Sequence, residues 1–310
     1  MTDDSPHEHR TRRATASPLK DRTVVVTGAA RGLGAALARA LAARGARLAL
    51  VGHERTGLEA VAATLPTPSV AVEADVTDEE ALHDAARTVR ARLGPVSAVV
   101  ANAGVAEGGP FLNGDMASWR RVVDVNLTGS ALTARAFLPD LLETSGYHLQ
   151  IASLAAFGAS PMMSAYCASK AGVEAFCHAL RAEVAHHGVA VGVAYLNWVD
   201  TDMIRDADRH PVLRELRAHM PPPARRVRPV DEVAALLTRT VERRRTAVYV
   251  PAWLRLVQVG RAALPPVVLR VSRRELPRLE AVEAFRATGF LGGGGLADRG
   301  SPGRETATRG

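Results

Sequence analysis

One stretch constrains this chain more than any other: Thr27-Gly28-Ala29-Ala30-Arg31-Gly32-Leu33-Gly34. It follows a β-branched run, Thr23–Thr27 (TVVVT), and opens an Ala/Leu-rich run that Gly45 closes. Glycines in such a strand-to-helix turn allow unusual φ angles and let phosphate oxygens approach the backbone. The helix beyond points its unpaired N–H groups at an anion. A glycine-rich turn alone is weak evidence, and a purely structural turn is the competing reading. Its place at the head of a strand–helix–strand series makes it a dinucleotide signal.

That series continues down the chain. Short apolar runs recur at Leu48–Val51, Ser69–Glu73, Val96–Ala101, Tyr147–Ala152, Val189–Leu196 and Ala247–Val250. Helical patterns lie between them, at Thr56–Thr64, from Asp78 to Leu93, and at Trp119–Glu143, Tyr166–His187 and Val230–Arg243. The alternation predicts an α/β fold: a doubly wound, mainly parallel seven-stranded sheet with helices on both faces, Rossmann-like, plus a C-terminal helical or disordered extension. The expected organisation is a disordered arm (1–20), a catalytic domain (21–251), a basic amphipathic extension (252–280) and a disordered tail (281–310). Asp202–Arg228 reads as one long charged loop, a lid or substrate loop.

Composition narrows the partners. The net charge is +7 on 310 residues, but it is unevenly spread. Residues 1–202 hold 18 basic and 21 acidic residues, a net of −3; residues 203–310 hold 21 and 11, a net of +10. Basicity is therefore a C-terminal property, and no nucleic-acid motif or aromatic platform accompanies it. The two cysteines, Cys167 and Cys177, form no disulfide framework and no zinc spacing, so no metal and a reducing, cytoplasmic setting are expected. The polar N-terminus carries no apolar targeting core.

The end of the second strand reads Val51-Gly52-His53-Glu54-Arg55. An acid usually stands there in NAD sites, to bind the ribose. Here Gly52 occupies that position, His53 follows, and Arg31 adds a cation that suits a 2′-phosphate. Glu54 could serve a ribose instead. NADP(H) is favoured over NAD(H), with the alternative open.

Tyr166-Cys167-Ala168-Ser169-Lys170 places a phenol and an ammonium at i, i+4, on one helix face. An ammonium favours the phenolate and is expected to lower the tyrosine pKa. Tyr166 could then exchange a proton with a substrate oxygen, Ser153 could bond that oxygen, and Asn126 could hold a relay water. Lys20 and Lys170 are the only lysines among 39 basic residues. A lysine in this position, within a chain that otherwise uses arginine, suggests a need for a compact point charge.

From Asp21 to Pro251 the chain resembles the short-chain dehydrogenase/reductases of the single-domain type. The resemblance rests on Thr27–Gly34, Asp75-Val76, Asn102-Ala103-Gly104, Asn126, Ser153 and the Tyr166/Lys170 pair, in that order. It implies a catalytic tetrad of Asn126, Ser153, Tyr166 and Lys170. It also implies cofactor contacts by Gly28, Arg31, Gly32, Leu33, Gly34, His53, Asp75, Val76, Asn102, Ala103, Gly104, Tyr166, Lys170 and Thr201. Ala101 departs from the family's usual Asn. Leu196-Asn197 stand where Pro-Gly is usual, and Asn197 is expected to replace the glycine by tolerating positive φ.

The predicted activity is NAD(P)-dependent interconversion of a carbonyl and a secondary alcohol on a hydrophobic small molecule, by a homo-oligomer. Between Arg243 and Arg274 there is no acidic residue, while Trp253, Leu254, Leu256 and Val267–Leu269 supply apolar surface. That composition suits peripheral membrane contact through residues 252–274, or packing on the enzyme. The alternative function is a catalytically weak cofactor-binding protein docked to a membrane or partner by this tail.

Overall fold

The computed structural model describes residues 16–158, 160–282 and 284–292. Seven parallel strands form one sheet: β1 (Thr23–Thr27), β2 (Arg47–Gly52), β3 (Ser69–Glu73), β4 (Val96–Ala101), β6 (Tyr147–Ser153), β7 (Ala190–Leu196) and β8 (Ala247–Val250). Their order is β3-β2-β1-β4-β6-β7-β8. β5 (Ala106–Gly108) stands apart and pairs antiparallel with β9 (Gly289–Leu291).

Central strands buried on both faces read as continuous apolar runs, as TVVVT does; all five of its residues are buried. One layer above the sheet is built on α1 (Gly32–Ala42) and α10 (Val230–Glu242), joined through Leu33, Leu37, Leu41, Val233 and Leu237. The other rests on α3 (Glu79–Leu93), α5 (Gly129–Glu143) and α6 (Ser164–Val184), joined through Leu82, Val89, Phe137, Val173 and Cys177. The helix starts follow local chemistry. The Asp78 side chain accepts from the Ala81 N–H at the head of α3, with Glu79 and Glu80 in its first turn. Asp115 caps α4 (Met116–Val123) by accepting from Ala117 and Ser118, which holds its carboxyl below the usual range.

The strand order turns back between β1 and β4, and a parallel sheet opens its ligand crevice at that switch point. Beyond α4 the helix does not run on smoothly. Asp124–Thr128 is one π turn, and it carries Asn126. Such turns often occur at functional sites.

Two sequence expectations are corrected. The region Asp202–Arg228 is not one loop. It holds α7 (Asp202–Arg209), α8 (Pro211–Ala218) and the single turn α9 (Pro222–Arg225), braced by pairs such as Arg205–Asp202 and Arg217–Asp208. Nor is the chain wholly unstructured beyond residue 280, since Gly289–Leu291 form β9. Residues 1–15 and 293–310 lie outside the described residues.

The extension packs on the domain at its near end. α11 (Leu254–Val259) buries Leu254 completely. Arg261 bonds buried Glu174 at 2.9 Å, and Glu174 also accepts from the Tyr195 hydroxyl at 2.8 Å. α12 (Leu264–Val282) follows, leaving Val267, Leu269 and Val271 exposed. Among the described residues no helix is long and apolar enough to cross a membrane.

Candidate active site

A cleft of about 1370 Å³, including its open mouth, lies over the C-terminal ends of the strands. Its floor is the glycine turn. Gly34 tolerates no side chain: a Cβ there would stand 2.1 Å from the Gly28 carbonyl oxygen and 2.8 Å from Asn102 Nδ2. Asn102 ties the turn to β4, donating from Nδ2 to the Thr27 carbonyl at 3.0 Å. The Thr27 hydroxyl accepts from the N–H groups of Asn102 and Ala103. Gly32 adopts a left-handed φ of +52°, and a Cβ there would project to 3.6 Å from Thr201 Cγ2. The glycines keep the turn's backbone open to the cleft, and Arg31 and Leu33 line it beside them.

At the end of β2, Arg31 and Glu54 form an ion pair, with Arg31 Nε donating to Glu54 Oε1 at 3.1 Å. Arg31 is thus already matched, which the sequence did not predict. His53 Nε2 is buried and has no hydrogen-bond partner. Asp75 accepts from the Thr77 N–H at 2.9 Å and from Arg121 Nη2 at 2.7 Å. Those bonds outweigh burial and hold its carboxyl below the usual range. Arg121, itself buried, was not picked out in the sequence; an arginine doublet on a helix gives no sign that one member turns inward.

On the opposite wall, α6 presents Tyr166 and Lys170, and β6 ends at Ser153. The Lys170 ammonium lies 5.5 Å from the Tyr166 ring centroid and donates to the Ile151 carbonyl at 3.1 Å. Burial lowers its pKa to about 8. Tyr166 corrects the expectation of a lowered pKa. Burial pushes the phenol up to about 12, against the Ser153 hydroxyl, which pulls it down. In the protein alone the phenol therefore holds its proton at neutral pH, the form a general acid needs.

Asn126 is fully buried, and its amide is fully engaged. Oδ1 accepts from the Val105 N–H at 2.8 Å, and Nδ2 donates to the Val105 carbonyl and to Ser169 Oγ. Its side chain therefore ties α6 to the Val105 backbone. Its main-chain carbonyl accepts from Ser130 Oγ at 2.7 Å. Asn197 is a further correction: it takes no positive φ, and its amide instead donates to the Ala224 carbonyl at 2.7 Å. The cleft thus brings together the glycine turn, His53, Asp75-Val76, Asn102–Gly104, Ser153, Tyr166, Lys170 and Thr201. Asn126 stands behind its wall.

The family model described as short chain dehydrogenase matches residues 22–211. The chain belongs to that family. It is 33% identical over 195 residues to an uncharacterized oxidoreductase of Staphylococcus saprophyticus, covering 61% of this chain and 83% of that one. It is 33% identical over 220 residues to an acetoacetyl-CoA reductase of Synechocystis, covering 70% and 86%. Among solved structures it resembles a putative gluconate dehydrogenase of Agrobacterium tumefaciens (TM-score 0.67, 26% identity, covering 74% and 94%). It also resembles a short-chain type dehydrogenase/reductase of Mycobacterium marinum (TM-score 0.66, 25% identity, covering 72% and 89%). The short-chain dehydrogenase fold, its oxidoreductase class and the use of an NAD(P) cofactor follow from these matches.

Proposed function

We propose that this short-chain dehydrogenase interconverts a ketone and a secondary alcohol on an apolar small molecule. The observation that carries the reading is a half-buried phenol, Tyr166, set beside Ser153 and the Lys170 ammonium in a cleft floored by the glycine turn. The cleft residues fit a nicotinamide dinucleotide: the turn can take the phosphates, and Asp75 and Asn102–Gly104 flank the space beside it. Tyr166 and Lys170 would hold the nicotinamide end with Thr201. When bound, the reduced cofactor supplies hydride to the carbonyl carbon. Tyr166 gives its proton to the substrate oxygen, Ser153 orients that oxygen, and Lys170 stabilises the phenolate left behind. Asn126 positions α6 for both. Ketone-dependent oxidation of NADPH or NADH by the purified chain tests the reading; tight cofactor binding without turnover across a panel of apolar ketones would favour the catalytically weak binding protein.

The cofactor reading is NADP(H) over NAD(H). It rests on His53, whose buried nitrogen lacks a partner, and on Arg31 at the lip of β2. Glu54 competes for that guanidinium. Glu54→Gln is expected to tighten NADPH relative to NADH by about tenfold, and Arg31→Gln to weaken it by a similar factor, since charge-assisted bonds contribute about 1.5–3 kcal/mol. Dissociation constants from fluorescence titration check this. A ratio that neither change moves would count against a phosphate at this lip.

A homo-oligomer with cytoplasmic location and peripheral membrane contact completes the reading. Leu256, Val259, Val267, Leu269 and Val271 are all exposed, beside exposed Arg255, Arg270, Arg273 and Arg274. Exposed apolar groups among arginines suit an anionic bilayer. In co-sedimentation with phosphatidylglycerol vesicles, a Leu256→Ser/Val259→Ser/Leu269→Ser variant should bind about tenfold more weakly than the parent. Equal partitioning of the two would remove the membrane from the picture.

A further inference from the structure

The C-terminal end of the described chain returns to the cleft. β9 pairs with β5 in the register Ala106↔Leu291, Glu107↔Phe290 and Gly108↔Gly289. The pairing is extended by Thr288, whose N–H donates to the Gly108 carbonyl at 2.7 Å and whose hydroxyl accepts from the Gly108 N–H at 2.9 Å. Gly292 then donates its N–H to Asp206 Oδ2 at 2.9 Å. Bare backbone makes the fit possible. A Cβ at Gly109 would stand 2.7 Å from Ala287 Cα, and one at Gly292 would stand 2.8 Å from Met203 Cα. This segment is therefore seated in the fold by bonds on both of its ends.

Leu291 is its apolar residue that reaches the cleft. It is 2% exposed, and it clusters with Ala106 and Ala207. Met163, Tyr166, Met203 and Leu213 pack around that cluster. Leu291 and Gly292 also line the same cleft as Ser153 and Lys170. The catalytic phenol thus shares an apolar wall with a residue well outside the 22–211 span that the family model matches.

We propose that Leu291, carried on β9, is a specificity-determining residue that sets how large an apolar substituent the ketone can carry beside Tyr166. The inference rests on the ketone/alcohol reading above. An apolar wall gains from each matching methylene and rejects excess bulk by overlap, so it discriminates by size and polarity rather than by hydrogen bonding. Met203 from α7 lines the cleft beside Leu291, and Met163 from the loop before α6 and Leu213 from α8 back the cluster with adaptable or branched apolar side chains.

The test uses the full chain with two substitutions that act in opposite directions, Leu291→Ala and Leu291→Trp. The quantity read is the ratio of kcat/KM for 2-decanone to that for 2-butanone. Leu291→Ala should raise the ratio at least fivefold, and Leu291→Trp should lower it at least tenfold. A merely structural role would depress both ketones together and leave the ratio in place. A ratio that stays within twofold in both variants, or moves the same way in both, overturns the proposal. If the parent turns over neither ketone, the reaction reading fails separately. The proposal then stands or falls on 2-decanone binding followed by ligand-detected NMR: Leu291→Trp should weaken it at least tenfold, and unchanged binding overturns it.

Discussion

Tyr166→Phe is expected to lower kcat for ketone reduction by about 10³-fold while leaving cofactor affinity within a few-fold, because a positioned general acid contributes about 10²–10⁴. The substitution removes one oxygen from a half-buried ring that lines an open cleft, so the fold has little reason to respond. Stopped-flow and steady-state rates with the same ketone check it. The pH dependence adds a sign. In the reducing direction the phenol must start protonated, and with a pKa raised to about 12 it does so throughout the neutral range. Lys170, lowered to about 8 by burial, must carry its proton to stabilise the phenolate that forms. Reduction should therefore be level below pH 7 and fall as pH rises through about 8, when the ammonium becomes neutral. A profile that instead rises through pH 8 would mean that the lysine charge does not assist the step.

Gly34→Ala is the second large effect. Its Cβ would lie 2.1 Å from the Gly28 carbonyl oxygen, far inside contact distance. The obstructing atoms are backbone and the Asn102 amide, which is itself bonded to Thr27, so no flexible side-chain end can swing aside. Relief requires moving α1 away from the turn. Overpacking of this kind costs about 1–3 kcal/mol and occasionally more, and the rigid neighbours place Gly34→Ala at the upper end. Urea unfolding should report a loss of about 3 kcal/mol. Binding of NADPH or NADH should fall below detection even where the protein remains folded, because the displaced helix no longer aims its N–H groups into the cleft. Wild-type stability and affinity in this variant would contradict the packing described for the turn.

The residues that carried the fold in the sequence are those whose environment is decided locally. TVVVT is buried on both faces and reads as a central strand without knowledge of its neighbours. Asp78 announces a helix start because its cap is made within three residues. The order of the turn, Asn102–Gly104, Ser153 and the Tyr166/Lys170 pair was legible through the resemblance to the short-chain dehydrogenases. What stayed hidden depends on distant partners. β9 is three residues long, and the hydrogen bonds that Thr288, just before it, makes to Gly108 span 180 positions of sequence. The helices within Asp202–Arg228 bury little, so charge masked their periodicity; α8 buries no residue completely. Arg31 looked like a free cation because its match with Glu54 exists only once β1 and β2 lie side by side. The direction of the Tyr166 pKa was not legible because spacing discloses a nearby ammonium but not the desolvation that raises it.

The most direct measurement follows the hydride. NADPH carrying deuterium at C4, in each of its two stereoisomers, is incubated with the purified chain and an apolar ketone such as 2-decanone, and the alcohol is analysed by mass spectrometry and NMR. The predicted result is deuterium at the carbinol carbon from one stereoisomer only, at a rate cut about 10³-fold by Tyr166→Phe. Tight NADPH binding with no label transferred to any ketone of the panel, or transfer at an undiminished rate in Tyr166→Phe, would contradict it.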